Sequence, residues 1–170
     1  MIKKYTDKEI ADKLKNLTII CDTREQVNGH ILGYFDNHKV AHKPQKLDIG
    51  DYSAEIDGYT LEHDVVIERK ANIDELAGNF TVDRARFEDE FIRAKANGTK
   101  VFLLIENGSF SKINSHDYIS KLKPQSLLAS LYAWMARYNI TVTFCEPDQT
   151  GQIIYGILYY YAREQLMKGK

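Results

Sequence analysis

The chain has 170 residues, 44% of them hydrophobic and 28% charged, with a formal net charge of −1. This suits one globular domain with a sizeable core. No apolar run reaches the length of a membrane span, and Met1 to Asp7 is basic without an apolar stretch behind it, so neither an anchor nor a secretory leader is read and a cytoplasmic protein is expected. A charge this close to zero excludes a strongly basic nucleic-acid coat; any DNA-binding surface must be local and must weaken with salt.

In chain order, Thr6-Asp7-Lys8-Glu9 is a capping box followed by Ile10, Leu14 and Leu17 at helical spacing, which predicts a short N-terminal helix within residues 1–16 that covers an edge or face of a sheet. Leu17 to Asp22 reads as a buried strand whose apolar run, Leu17 to Cys21, meets an acidic corner, Asp22-Thr23-Arg24-Glu25. Val27 to Phe35 predicts a helix or turn interrupted by Gly29 and Gly33. Lys39, His42, Lys43 and Lys46 cluster around Pro44, either as a solvated face or as phosphate contacts. Leu47 to Tyr52 is extended and delivers Asp51 behind Gly50. Asp57-Gly58 predicts a hairpin that runs Tyr52 to Ile56 against Thr60 to Glu68 and brings Asp51 near Glu68.

The stretch Asp64-Val65-Val66-Ile67-Glu68-Arg69-Lys70 is the centre of the chain. Its β-branched residues predict a buried strand, and strand alternation puts Glu68 and Lys70 on one face and Arg69 on the other. Taken alone, Glu-x-Lys is better explained as a structural ion pair at a strand exit. Several acids at strand ends beside one Lys are also what a divalent-metal phosphodiester site requires, since oxygen ligands suit Mg²⁺ or Mn²⁺ and a Lys can face charge that develops on phosphate oxygens.

Downstream, Asn72 is a predicted N-cap with Asp74 in the first helical turn, a sufficient structural reason for that carboxylate. Thr81 to Asn97 is a predicted helix with an apolar stripe of Phe87, Phe91 and Ala94. Arg84 and Arg86 lie off the stripe, free for phosphate or for the neighbouring acids. Val101 to Ile105 is a fully buried strand that ends at Glu106. Gly108 to Ser115 reads as a polar loop and Ser115 to Lys121 as a short helix. A strong helix opens at Pro124, Ile140 to Phe144 is a strand, and a last helix spans Gln149 to Met167 with Asp148 as its cap. These two late helices carry enough large apolar residues to form an interface as well as a core. Cys21 and Cys145, each at the end of an apolar run, are read as buried free thiols.

Asp22-Thr23-Arg24-Glu25, Gly50-Asp51, Glu68-Arg69-Lys70 with Asp74 beyond, Arg84-Ala85-Arg86-Phe87 and Val101 to Glu106 occur in an order that resembles the nuclease domain of the XPF/Mus81 family, the ERCC4 type. The likeness runs from about Leu17 to Cys145. Ala85 stands where the family often has Gly. The resemblance implies an α/β, restriction-endonuclease-like fold with a mixed central sheet flanked by helices, as a single nuclease domain over residues 1–170 of microbial or phage type. It implies a Mg²⁺- or Mn²⁺-dependent endonuclease on branched, flap or junction DNA. The last segment lacks the short Gly hairpins of the helix-hairpin-helix module that eukaryotic members carry. The candidate catalytic residues are Asp51, Glu68, Lys70, Asp22 and Arg69, with Asp51 and Glu68 as metal ligands and Asp22 either as a third ligand or as a partner that supports them. Glu25, Asp74 and Glu106 rank second, and Arg24, Lys43, Lys46, Arg84 and Arg86 are candidate DNA contacts. A homodimer through the Pro124 and Asp148 helices is expected. A silent DNA-binding or dimerisation subunit and a sequence-specific restriction-type enzyme are the competing readings.

Overall fold

Thr6 opens the first helix as its sequence predicts. In the computed structural model, which describes residues 5–169, its hydroxyl accepts the Glu9 N–H and the Glu9 carboxylate takes the Thr6 N–H at 2.8 Å. This helix, α1 (Asp7–Leu14), buries Ile10 and Leu14. The chain continues through β1 (Leu17–Cys21), α2 (Gly29–Asn37), β2 (His42–Pro44), β3 (Tyr52–Ile56), β4 (Tyr59–Thr60), β5 (Val65–Lys70), α3 (Ile73–Asn79), α4 (Arg84–Asn97) and β6 (Lys100–Glu106). It ends with α5 (Phe110–Asn114), α6 (Pro124–Tyr138), β7 (Thr141–Cys145) and α7 (Thr150–Lys168). No described helix is long and apolar enough to cross a membrane.

Among the described residues the strands form one mixed sheet, in the order β2-β1-β3-β5-β6-β7 with β4 attached to β3. The strands β1, β2, β5, β6 and β7 all run one way, and β3 opposes its neighbours. Alternation along β5 splits the core in two. Val65 and Ile67 face α1, α2 and α7 with Ile31, Phe35, Ile154 and Leu158. Val66 faces α3 to α6 with Leu76, Phe91, Leu131 and Trp134. This is the α/β architecture with a flanked mixed sheet that the sequence implied.

Several local expectations need correction. The hairpin at Asp57-Gly58 is real, but its second arm stops after Thr60. Leu61 to Asp64 turn back, with the Val65 N–H on the Leu61 carbonyl at 2.8 Å, and β5 meets β3 through the Tyr52–Ile67 pair. Helix α2 begins at Gly29 and runs through Gly33 unbroken, because Ile31 and Phe35 anchor one face in the core. Thr81 to Asp83 form a turn between α3 and α4 rather than the start of a helix. Residues 115–121 are irregular; the short helix is α5, capped by the Ser109 hydroxyl. Asp148 does not cap α7: it lies in a 3₁₀ turn, Pro147–Gln149, that Glu146 and Gln149 close.

The late helices pack on opposite faces of the sheet, α6 with the Trp134 cluster and α7 with the Ile19 cluster, so they do not make one shared helical face. The free cysteines are buried as expected, and burial pushes the Cys21 thiol up to about 12. β1 and β7 are separated by three strands, too far for a disulfide.

Candidate active site

One edge of the sheet collects the acids because of strand direction. Asp22 follows the C-terminal end of β1, Glu68 to Lys70 end β5, Glu106 ends β6, and Asp51 precedes β3, whose reversed direction puts its N-terminus at the same edge. The backbone ladder continues past the strands: the Asp22 N–H donates to the Asp51 carbonyl and the Asp51 N–H to the Ile67 carbonyl, both at 2.8 Å. Gly50 is required just before this point. Its φ is +74°, and a Cβ there would lie 2.9 Å from Val66 Cβ and 3.2 Å from the Ile67 carbonyl oxygen. Gly50→Ala is therefore expected to cost about 1–3 kcal/mol of stability from backbone strain and overlap, and to lower activity by displacing Asp51. Thermal melts and cleavage assays check this; a variant with unchanged melting would contradict it.

On one face of β5, Lys70 Nζ donates to Glu68 Oε1 at 2.6 Å, both side chains being buried. Lys70 also lies 3.8 Å from Glu75 and 4.7 Å from the centre of the Phe87 ring. Burial works against the Lys70 charge, but Glu68, Asp51 and Glu75 outweigh it and hold the ammonium above its ordinary range. Lys70 is thus a fixed cation and hydrogen-bond donor. Asp51 Oδ2 accepts the Arg69 N–H at 2.7 Å. Loss of water around Asp51 and the charge of Glu68 push its carboxyl well above the carboxylate range. Asp51 Oδ1 and Glu68 Oε2 carry no hydrogen bond among the described residues.

Arg69 points to the other face, as alternation predicts. Its Nε and Nη2 reach Glu106 at 2.9 and 2.7 Å, and its Nη1 reaches Glu25 at 2.8 Å. Glu106 is 2% exposed and also takes the Thr150 hydroxyl at 2.7 Å and His30 Nε2 at 2.8 Å. Burial opposes its charge, yet Arg69, Thr150 and His30 keep its carboxyl below the ordinary range. Its oxygens are therefore committed to bracing Arg69. Burial raises the Glu25 carboxyl despite Arg69 beside it.

Of the two tasks expected for Asp22, ligand or supporting partner, its contacts fit the second. Its Oδ1 accepts the Arg24 N–H and Nε at 2.8 and 2.7 Å, and its Oδ2 accepts Arg24 Nη2 and the Leu47 N–H at 3.0 and 2.6 Å. Burial is overcome by these four donors, which lower its carboxyl. A carboxylate saturated in this way ties the Gly50 loop to β1 and has no free oxygen for an ion. Asp74 accepts the N–H groups of Ile119 and Ser120 at 2.9 and 2.6 Å, so it pins the loop before α6 rather than joining the cluster. Among the candidate DNA contacts, Arg24 is bound to Asp22 and the Leu47 carbonyl but keeps a largely exposed side chain. Lys43 is held by Glu55 at 2.7 Å, and Lys46 is exposed. Arg84 lies over Trp134, and Arg86 is 3.9 Å from Asp83.

Sequence reasoning missed Glu75, Glu90, His30 and Thr150. Glu90 on α4 is half-buried, and burial together with the Glu68 charge raises its carboxyl. Glu75 follows the Asn72 cap at the spacing of a capping box, a signal that was readable; His30 and Thr150 reach the site only by packing of α2 and α7.

The donor set fits a hard divalent cation. Asp51 and Glu68 offer one unbonded carboxylate oxygen each, and their mutual repulsion is what a cation would relieve. Among the described residues no three His, Cys, Asp or Glu side chains converge on a point, so water and substrate phosphate would complete the coordination, as is common for Mg²⁺.

A search of curated proteins finds no match to this chain. Among solved structures, it is similar to XPF from Aeropyrum pernix, with a TM-score of 0.65 and 20% identity over 86% of this chain and 65% of that one. It is likewise similar to the same organism's XPF in complex with DNA, with a TM-score of 0.64 and 20% identity over 86% and 66%. The chain thus spans just under two thirds of those chains' length, and the likeness shows a restriction-endonuclease-like fold. The ERCC4 domain model matches residues 21–157, most of the sheet together with every member of the acid cluster, and by that match the chain belongs to the ERCC4 domain family.

Proposed function

We propose that this chain is a divalent-metal-dependent endonuclease that hydrolyses phosphodiester bonds in DNA near branches, flaps or junctions. The observation that carries the reading is the pairing of two unbonded carboxylate oxygens, on Asp51 and Glu68, with an ammonium on Lys70 that its surroundings keep charged. ERCC4 nucleases are generally divalent-metal dependent. An ion held by Asp51 and Glu68 would polarise the phosphate and acidify a water there. Lys70 donates to the charge that grows on the phosphorus oxygens. Arg69 spends its donors on Glu106 and Glu25, so it keeps β5 and the Glu25 loop in register rather than touching the scissile phosphate. Asp22 and Arg24 hold the loop that presents Asp51. The family membership and the DNA complex of the similar XPF support DNA as the substrate.

A homodimer fits the β7 edge better than a face of paired helices. Phe110 packs on Phe144 of β7 with ring centres 4.9 Å apart and lies beside Tyr132, and both Phe110 and Tyr132 are exposed. The Thr141-Val142-Thr143-Phe144 edge carries no Lys or Pro to block pairing.

The test is a panel of labelled flap, fork, Holliday, single-stranded and linear duplex DNAs with Mg²⁺ or Mn²⁺, run with Glu68→Ala and Lys70→Ala beside the wild type. Junction cleavage is expected, with each variant slowed by about two to three orders of magnitude. Folded wild-type protein that neither cuts nor binds metal by calorimetry would sink the reading in favour of a silent subunit. Cutting of unrelated duplexes at one fixed sequence would favour a restriction-type enzyme.

A further inference from the structure

The Arg69 face holds a second surface that the proposed chemistry does not use. There α2 and α7 approach so closely that a Cβ on Gly151 would lie 2.6 Å from Tyr34 Cβ. Outside this contact the two helices leave a groove of about 690 Å³, lined by Tyr34, Gln149, Gln152, Tyr155 and Tyr159. A second cavity of about 340 Å³ shares Tyr34 and Tyr155 with it and adds Lys15, His38 and Lys39 at the far end. His38 is stacked on Tyr34 with ring centres 4.0 Å apart, and Tyr155 and Tyr159 lie 5.6 Å apart along one side of α7. Among the described residues no Asp or Glu lines either cavity. Lys39 is exposed and has no ion-pair partner among them, whereas Lys15 is shared with Asp12. In a chain with 24 acidic residues, a wall of tyrosines, two glutamines and aliphatic side chains that contains no carboxylate and ends at the unpaired Lys39 is a selective surface.

We propose that this channel binds a single DNA strand that leaves the catalytic edge. Ring faces at intervals accept bases of any sequence by stacking, and Lys39 at the far end takes a phosphate. The amide groups of Gln149 and Gln152 supply neutral donors and acceptors at the near end. That end lies at the start of α7, where Gln149 precedes Thr150, whose buried hydroxyl donates to the Glu106 that braces Arg69. The direction of the strand rests on the nuclease reading; the binding itself does not.

The experiment measures fluorescence anisotropy of a short labelled oligothymidylate with the full chain, metal chelated, at low and raised salt. Tyr159→Ala and Lys39→Glu are each expected to weaken binding roughly tenfold, and Tyr159→Phe to restore it, because a phenyl ring still stacks. Lys39 is exposed, so its variant is free of folding damage that could mimic the effect. With iododeoxyuridine in the oligonucleotide, photocrosslinks are expected on Tyr34, Tyr155 or Tyr159. No wild-type binding, equal binding by all variants, or crosslinks elsewhere would overturn the proposal. So would a Tyr159→Ala protein that binds normally but changes from dimer to monomer by light scattering, which would make the channel an interface between copies. Failure of the two readings is separable. A wild type that cuts no junction but loses oligonucleotide binding in both variants overturns the nuclease and leaves the channel. One that cuts, with binding insensitive to both variants, does the reverse.

Discussion

Asp51→Asn is expected to abolish DNA cleavage and at the same time to raise the melting temperature of the metal-free protein at neutral pH. The carboxyl of Asp51 is removed from water beside the Glu68 carboxylate, and both features disfavour its charge. Two like charges 4 Å apart repel by about 4 kcal/mol at an effective dielectric of 20. Lys70 offsets part of this, so the expected gain from an amide is roughly 1–3 kcal/mol, at about 2–4 °C for each kcal/mol in a chain of this size. The amide oxygen can still accept the Arg69 N–H that Asp51 Oδ2 accepts at 2.7 Å, so the fold is kept. The pH dependence has a definite sign. A carboxyl raised in the folded state binds its proton more tightly folded than unfolded, so its contribution to stability is present at acid pH and is lost as pH rises through the raised folded value. The advantage of the Asn variant should therefore grow from acid to neutral pH. Added Mg²⁺ should reverse the order, stabilising the wild type by linkage and the variant little. Melts across pH with and without Mg²⁺, beside cleavage of the best junction substrate, check all of this. A metal-free variant less stable than wild type at neutral pH would remove the argument that Asp51 is destabilised to serve a cation.

Arg69→Met should do the opposite to stability and the same to activity. Glu106 is 2% exposed and loses its paired donors, Arg69 Nε and Nη2, while Glu25 loses Nη1. Breaking one partner of a buried pair costs about 3–5 kcal/mol, since the remaining charge is left in a dry site. Arg69→Lys should recover little, because an ammonium cannot grip Glu106 with two parallel bonds and reach Glu25 with a third. Adding Glu106→Gln to Arg69→Met removes the stranded charge and should recover much of the stability. It should not recover cleavage, because Glu25 and the end of β5 lose their brace. Thermal melts of the four proteins separate these effects. A double variant as active as wild type would show that Arg69 contributes to folding alone.

The acidic and basic residues that matter are mostly legible in the sequence, for a local reason. Alternation along Val65 to Lys70 puts Glu68 and Lys70 together and Arg69 opposite, and this follows from strand geometry without knowledge of neighbours. The Thr6 capping box, the Asn72 cap and the Pro124 start are likewise decided within a few residues of chain. Gly50 before Asp51 is readable as a motif, although its reason, the approach of Val66 and the Ile67 carbonyl, is not.

Which carboxylate oxygen remains free is a different kind of question. From the sequence Asp22 reads as a ligand or as a supporting partner of Asp51. Only the packed chain shows four N–H donors on Asp22 and one on Asp51. Glu106 reads as an active-site acid until Arg69, Thr150 and His30 are seen to occupy it from three other elements. The late helices read as one greasy surface until the sheet separates them. Periodicity and capping act over a few residues, so the helices, the strands and the residue types at their ends are written into the chain locally. Saturation of a carboxylate, and the face on which a helix lands, depend on partners tens of residues away, and those are settled only when the whole sheet and its helices pack together.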